Sequence, residues 1–289
     1  MNVLSLFDGM SCGQIALNKA EIKIDNYYAS EIDKYAIKVT MKNFPNTIQL
    51  GDVCKLETTS LPKIDLLIGG SPCQSFSNAG KGKGFDGKSG LFWEYVRILK
   101  ETKPKYFLLE NVVMKKEWEA VITEALGVSP IKINSRLLSA QNRPRLYWTN
   151  IPNVTEPIDK GITIKDILES NVEGKYYMSD KAISRINKNK FGGNFININS
   201  IKTKTLIASY YKIPSDGTYV EHENVKRMFT VTECEKLQTI PINYTDSVSK
   251  SQRYKMIGNG WTVDVIAHIF SFMKNIEDNP ISDDNVPIM

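Results

Sequence analysis

Across roughly its first 150 residues the chain alternates short apolar runs, each stopping at a glycine, a polar residue or an acid, with longer stretches of helical apolar spacing. No other feature restricts the fold as much. Residues 1–7 predict a buried strand, a turn through Asp8, Gly9 and Gly13 follows, and residues 14–19 predict the helix after it. Further strand and helix signals lie at 26–30, 34–43, 64–70, 91–101, 105–111, 118–126, 131–139 and 146–150. Apolar runs without polar alternation need burial on both faces, which a mostly parallel sheet with helices on each side provides. The expected fold class is α/β.

After Ile151-Pro152 the alternation gives way to Asn-rich and Lys-rich sequence with a Gly192-Gly193 turn and short β-prone runs at 195–201 and 205–211. Thr230-Val231-Thr232-Glu233 has the capping-box pattern and opens a helix containing Leu237. Residues 263–273 have helical apolar spacing suited to packing back on the first domain. The expected organisation is one domain from 1–152 with 256–278, a smaller one from 153–255, and an acidic tail at 279–289.

Of the 289 residues 42% are hydrophobic and 24% charged, so the chain can bury a sizeable core and is not a disordered tract. Cys12, Cys54, Cys73 and Cys234 form no C-x-x-C pair, and only His222 and His268 accompany them. That pattern argues against a disulfide framework and against tetrahedral zinc; no metal is expected. No run of about 18 apolar residues occurs, and residues 1–9 lack the features of a secretion signal. A soluble, cytoplasmic protein is expected. A balance of 37 Lys and Arg against 32 Asp and Glu gives +5, which suits a polyanionic partner without requiring one. Lys175, Lys181, Arg185, Lys188, Lys190, Lys202, Lys204 and Lys212 are opposed by Asp180 alone, as a solvated basic face or a nucleic-acid footprint.

Four features sit where strands of the first domain should end, the place where open α/β sheets bind ligands. The turn Phe7-Asp8-Gly9-Met10-Ser11-Cys12-Gly13 lacks G-x-G-x-x-G spacing, so a dinucleotide fingerprint is absent. Glu31, after the second strand, can accept from ribose hydroxyls or act as a helix N-terminal acid. Gly69-Gly70-Ser71-Pro72-Cys73-Gln74 presents a cysteine in a turn instead of an apolar stripe, and the basic run from Gly80 to Lys88 follows it as a surface loop or a closing lid. Phe107-Leu108-Leu109-Glu110-Asn111-Val112 ends in an acid that either caps the next helix or, desolvated, holds or donates a proton. Arg143 and Arg145, around Pro144, are edge charges or ligands for a carbonyl oxygen and phosphate.

Taken in order, these residues resemble the DNA (cytosine-5)-methyltransferases. The resemblance covers nearly the whole chain: Phe7 to Gly13, Glu31, Gly51-Asp52-Val53, Gly69 to Gly80 with Pro72-Cys73-Gln74, Gly90-Leu91-Phe92, Glu110-Asn111-Val112, Gln141-Asn142-Arg143-Pro144-Arg145, Arg227 with Thr230, Glu233, Leu237 and Gln238, and Gly258-Asn259. As an ordered set, the Pro-Cys-Gln turn, Glu-Asn-Val and Gln-x-Arg-x-Arg are highly specific.

The resemblance implies a Rossmann-like S-adenosylmethionine-dependent sheet with a second, smaller target-recognition domain. It implies methyl transfer to carbon 5 of cytosine in a specific sequence of double-stranded DNA, by base flipping and a cysteine adduct at carbon 6. Cys73 takes the nucleophile's place, Glu110 that of the group at ring nitrogen 3, Arg145 that at the ring carbonyl, and Arg143 supports the site. S-adenosylmethionine is expected against Phe7, Glu31, Ile32, Asp52, Val53 and Leu91, with its methionine end near Asp8, Gly9, Gly13, Pro72 and Asn259. DNA contacts are expected from Ser77, Lys81, Lys83, Lys202, Lys204 and Arg227. The protein is expected to be monomeric, without membrane contact, and of the restriction-modification kind.

The chain departs from the family's pattern in two places. Many bacterial members have Asp-Leu-Phe-Ala-Gly where this chain has Ser5-Leu6-Phe7-Asp8-Gly9, and Gly258-Asn259-Gly260-Trp261-Thr262-Val263 replaces the commoner Gly-Asn-Ala/Ser-Val-Pro. Both variants, with Leu146-Tyr147-Trp148, look more like the de novo branch of the eukaryotic enzymes, while the short chain suits a bacterial or phage one. Two alternatives are the same chemistry on transfer RNA, disfavoured because the Cys-Phe-Thr tripeptide of that branch is missing, and an inactive DNA-binding relative.

Overall fold

The computed structural model describes residues 1–72, 90–188, 194–222 and 225–278, with side chains as far as 274. Cys73, Ser77, Lys81 and Lys83, the Gly192-Gly193 turn and the tail at 279–289 lie outside the described residues.

Seven of the described strands form one sheet: β1 (Asn2–Leu6), β2 (Asn26–Ser30), β3 (Ile48–Gln49), β4 (Leu66–Gly70), β5 (Tyr106–Val112), β6 (Ile131–Asn134) and β7 (Pro144–Thr149). Their order is β3-β2-β1-β4-β5-β7-β6, parallel from β3 to β5, with β7 antiparallel to both neighbours. Chain order runs outward from β1 toward β3 on one side and from β4 onward on the other. The sheet therefore has its switch point between β1 and β4, where the following connections diverge and leave a crevice.

Strand alternation sends neighbouring residues to opposite faces. Val3, Ile68 and Leu108 join one core cluster with Ile15 and Ala16 of α1 (Cys12–Lys19) and Ile266, Ile269 and Phe270 of α9 (Val263–Asp278). Leu4, Leu67 and Leu109 join the other with Phe92, Tyr95 and Ile98 of α3 (Leu91–Thr102) and Ile122 and Leu126 of α4 (Lys116–Leu126). The expected α/β class is thus observed, and the last helix lies beside the first, tied to it by Lys19 and Asp264 at 2.6 Å.

Beyond β7 a smaller three-stranded sheet has β9 (Thr218–His222) between β8 (Asn194–Ile196) and β10 (Val225–Arg227). The run at 195–201 yields only the end of β8. The run at 205–211 is not a strand: Leu206 N donates to Gln141 Oε1 at 2.6 Å and its carbonyl accepts from Arg143 Nη1 at 2.9 Å. Side chains hold the backbone groups that a ladder would have used, which overrides local β preference. The capping box at Thr230 does open α7 (Val231–Leu237), with Thr230 and Glu233 bonded reciprocally.

Helix α8 (Lys250–Asn259) was not legible in the sequence, and the boundary expected between 255 and 256 falls inside it. Its Gly258 crosses the 206–208 segment so closely that a Cβ would stand 2.4 Å from the Ile207 carbonyl carbon and 2.5 Å from Ala208 N. These are backbone atoms with no rotamer to yield. Gly258→Ala is therefore expected to lower the unfolding free energy by about 1–3 kcal/mol, read as a reduced denaturation midpoint in urea at unchanged slope.

Candidate active site

Parallel pairing of β4 with β5 sets Gly70 opposite Glu110, and antiparallel pairing of β5 with β7 sets Glu110 opposite Tyr147 and Val112 opposite Arg145. Glu110 and Arg145 thus project diagonally across neighbouring strands, close enough for long side chains to meet. Arg145 Nε stands 2.9 Å from Glu110 Oε1, with both side chains more than four-fifths buried. Glu110 Oε2 accepts from the indole N–H of Trp261 at 3.1 Å. Burial, with Glu110's charge added, pushes the Tyr147 hydroxyl upward, so it stays neutral. Asn111 Nδ2 donates to Ser71 Oγ at 3.1 Å, fastening the end of β5 to the end of β4 just before Pro72. Cys73, the next residue, lies outside the described residues.

The turn after β1 is unusual: Phe7, Gly9 and Ser11 all have φ between +56° and +59°. For Phe7 and Ser11 such a conformation costs about 1–3 kcal/mol each and persists only where the surroundings enforce it. Asp8 N donates to Ser30 O at 3.2 Å, and Gly9 N to Glu31 Oε2 at 2.7 Å. Glu31 Oε1 accepts from the amides of Ile32 and Asp33 at 2.7 and 2.8 Å. Glu31 therefore knots the turns after β1 and β2 together.

The residues beside this knot could hold an adenosine-bearing cation. A Cβ at Gly9 or Gly51 would meet nothing within 4 Å, so open space lies over both turns. Ile32 is 74% exposed, Phe7 and Leu91 are half-buried and Val53 is buried. Asp52 Oδ1 accepts from Cys54 N at 3.0 Å. Asn259 is exposed at the end of α8. A Cβ at Gly13 would stand 2.4 Å from Ile68 Cδ1 and 2.7 Å from the Tyr27 hydroxyl, so a glycine there lets α1 pack closely on the sheet.

Asp8 lies under the turn. The Tyr27 hydroxyl donates to its Oδ1 at 2.8 Å, and the Ser11 hydroxyl bonds its Oδ2. Burial raises its pKa from the ordinary 3.8 to about 6, against the opposing pull of these hydroxyls.

Three charged residues are anchored by partners within the chain. Arg143 is 4% exposed, and its guanidinium donates to the carbonyls of Leu206, Gly258 and Gly260 at 2.9, 3.2 and 3.0 Å. It clamps the segments around the site instead of reaching into it. Lys202 Nζ donates to the carbonyls of Arg136, Ser139 and Ile162 at 2.6, 3.0 and 2.6 Å, and burial pulls its ammonium below the ordinary lysine range. Arg227 is 5% exposed and bidentate to Glu233, at 2.8 Å for each bond. Neither cation is turned outward to a phosphate. Lys204 lines a groove of about 330 Å³ with Asn142, Thr205, Asp216 and Phe229.

Sequence reasoning missed Tyr27 as a site-building residue and named Gln238 and Trp261 only as members of motifs. Trp261 was visible as a departure from the family's pattern, but its partner Glu110 is 151 positions away. No group of three or more metal-ligating side chains occurs among the described residues, and no helix among them is long and apolar enough to cross a membrane.

A family model described as C-5 cytosine-specific DNA methylase matches residues 1–122 and 132–275. The chain is 35% identical over 305 aligned positions to the type II methyltransferase M1.ScrFI of Lactococcus lactis subsp. cremoris, covering 95% of this chain and 78% of that one. It is 32% identical to the type II methyltransferase M.NlaX of Neisseria lactamica, covering 94% and 96%. Among solved structures, the Entamoeba histolytica methyltransferase EhMeth superposes with a TM-score of 0.81 at 20% identity, covering 96% and 98%. The S. pombe Dnmt2 methyltransferase does so with 0.75 at 19% identity, covering 97% and 100%. At these identities the structural matches speak for the fold alone.

Two expectations follow from the geometry. Because Asp8 binds its proton more tightly in the folded state, its contribution to stability is lost as pH rises from 3.8 through about 6. Asp8→Asn should gain stability relative to the natural protein over that window, by at most about 3 kcal/mol, in urea titrations at pH 4 and pH 7.5. Lys202→Ala should lower stability by about 1–3 kcal/mol while leaving the salt dependence of DNA binding unchanged, because its charge is held by carbonyls.

Proposed function

Since the chain belongs to the C-5 cytosine-specific DNA methylase family, we propose that it transfers a methyl group from S-adenosylmethionine to carbon 5 of cytosine within a specific sequence of duplex DNA, through a flipped-out base and a covalent cysteine adduct. The observation that carries the residue assignment is the pairing of Glu110 with Arg145 at the ends of β5 and β7, beside the strand that leads to Pro72 and Cys73.

Carbon 5 of cytosine is a poor nucleophile, and a thiolate adding to carbon 6 converts it into an enamine carbon. In this reading the Cys73 sulfur forms the bond to carbon 6 while the ring double-bond electrons move toward nitrogen 3. Glu110 holds a proton there and prevents charge from accumulating on the ring. Arg145, kept in place by Glu110 and by its own bond to the Pro144 carbonyl, faces the ring carbonyl. S-adenosylmethionine, when bound, supplies the electrophilic methyl group. Glu31, Ile32, Asp52, Val53, Phe7 and Leu91 would hold its adenosine part, and Asp8, Gly9, Pro72 and Asn259 its methionine part. Loss of the carbon 5 proton to solvent water then restores the ring double bond and expels the thiolate, and nitrogen 3 returns its proton to Glu110.

We assign target recognition to the segment after Pro152 that carries β8 to β10, with Lys204 at its groove toward the catalytic sheet. Duplex DNA is favoured over transfer RNA because the relatives at 32% and 35% identity are type II methyltransferases. The same relatives favour a role in restriction and modification, in the cytoplasm where such DNA lies.

Incubation with methyl-labelled S-adenosylmethionine and mixed-sequence duplex DNA, followed by nucleoside analysis and bisulfite sequencing, should place label in 5-methylcytosine at one defined sequence. Label in RNA instead, or in no nucleic acid, overturns the reading. Cys73→Ser should reduce turnover to background and leave cofactor affinity within about twofold, since the thiol meets only the base. Glu110→Gln should slow turnover by about 10²–10⁴-fold.

A further inference from the structure

Trp261 stands where the two ends of the chain meet and has no part in the roles assigned above. It lies in the short link between α8 and α9, and both of its neighbours are pinned. The Gly260 carbonyl accepts from Arg143 Nη2 at 3.0 Å and from Gln238 Nε2 at 3.1 Å. Thr262 Oγ1 donates to Gln238 Oε1 and accepts from Ser135 Oγ, both at 2.8 Å. A backbone fixed on either side gives the indole a defined place. Its ring bridges two glycines: a Cβ at Gly70 would stand 3.0 Å from Nε1, and one at Gly13 would stand 3.7 Å from Cζ3. The indole therefore spans from the turn after β1 to the strand end beside the acid.

We propose that Trp261 is a positioning residue that fixes the plane of the Glu110 carboxyl group for proton transfer. The terminal torsion of a glutamate is broad, so a carboxyl group held through one oxygen can still rotate. Here Arg145 Nε holds Oε1 at 2.9 Å and Trp261 Nε1 holds Oε2 at 3.1 Å. A cation on one oxygen and a donor on the other stop that rotation. Neither group can accept a hydrogen bond, and the indole N–H takes one lone-pair site of Oε2. A proton on Glu110 is thereby confined to the sites directed away from the guanidinium and the indole N–H. Gly70 is part of the device, because a Cβ there would also come within 3.1 Å of Glu110 Oε2.

The inference rests on the assignment of Glu110 to ring nitrogen 3, and the test separates the two. Trp261→Phe keeps an aromatic ring and removes the N–H; Trp261→Leu serves if that variant does not fold. With the tryptophans labelled with ¹⁵N, the indole signal missing from the variant belongs to Trp261 and is distinct from those of Trp93, Trp118 and Trp148. That signal should shift in Glu110→Gln while the other three stay in place. Single-turnover methylation by Trp261→Phe should be roughly 10- to 100-fold slower, the loss expected for a hydrogen bond to a charged group, with cofactor and DNA affinities within about twofold. In the Glu110→Gln background the same substitution should cost less than about twofold, because the carboxylate it positions is gone. An indole signal indifferent to Glu110→Gln, or an equal slowing in both backgrounds, overturns the proposal. A fully active Glu110→Gln overturns the assignment of Glu110 and the inference with it, even if the indole shift still reports the contact.

Discussion

A guanidinium buried against backbone carbonyls holds the candidate site together. Arg143 reaches the carbonyls of Leu206, Gly258 and Gly260 from the start of β7, so one side chain joins the catalytic sheet, the irregular segment after β8 and the link between α8 and α9. Two buried amides complete the joint. Gln141 donates to the Leu237 carbonyl and to Gln238 Oε1, and Gln238 donates onward to the carbonyls of Ile257 and Gly260. Groups of this kind carry a large desolvation cost when unmade, so the joint has one satisfied arrangement and strong resistance to partial ones. Gly258 lets the segments approach closely enough for these bonds to form.

The candidate site inherits its geometry from that joint. Glu110 and Arg145 are placed by strand pairing alone, yet the second oxygen of Glu110 is met by Trp261, whose position depends on Gly260 and Thr262 and so on Arg143 and Gln238. The crevice proposed for S-adenosylmethionine follows a different rule. It opens at the switch point of the sheet, and strain at Phe7 and Ser11 is held by bonds to Ser30 and Glu31 from the neighbouring turn. Acid and crevice thus share one end of β4 and are kept there by contacts of separate origin.

Charge illustrates how far a one-dimensional reading reaches. The cluster from Lys175 to Lys212 gives the right sign for a polyanionic partner, but sign does not say which cations are turned outward. Lys202 sits on three carbonyls and Arg227 on Glu233, so both spend their charge inside the molecule. Lys204, two positions from Lys202, lines the groove. Nothing in the local sequence separates the two lysines, because the carbonyls that capture Lys202 come from residues 40 to 66 positions earlier.

The sequence by itself determined the strand and helix alternation, the parallel sheet, the helix opened by Thr230 and the ordered motifs that mark the family, because each rests on short-range periodicity, capping or turn chemistry. It also marked Glu110, Asp8 and Trp261 as residues needing explanation. Their partners were decided only in three dimensions. Asp8 found Tyr27 and Ser11, Glu110 found Arg145 and Trp261, and the run at 205–211 lost its strand character to Gln141 and Arg143. Helix α8 stayed hidden for a related reason: it packs against segments brought in by the joint, and its sequence carries no strong apolar stripe of its own. Long-range pairing of buried polar groups leaves no periodic trace along the chain, so tertiary structure alone could assign it.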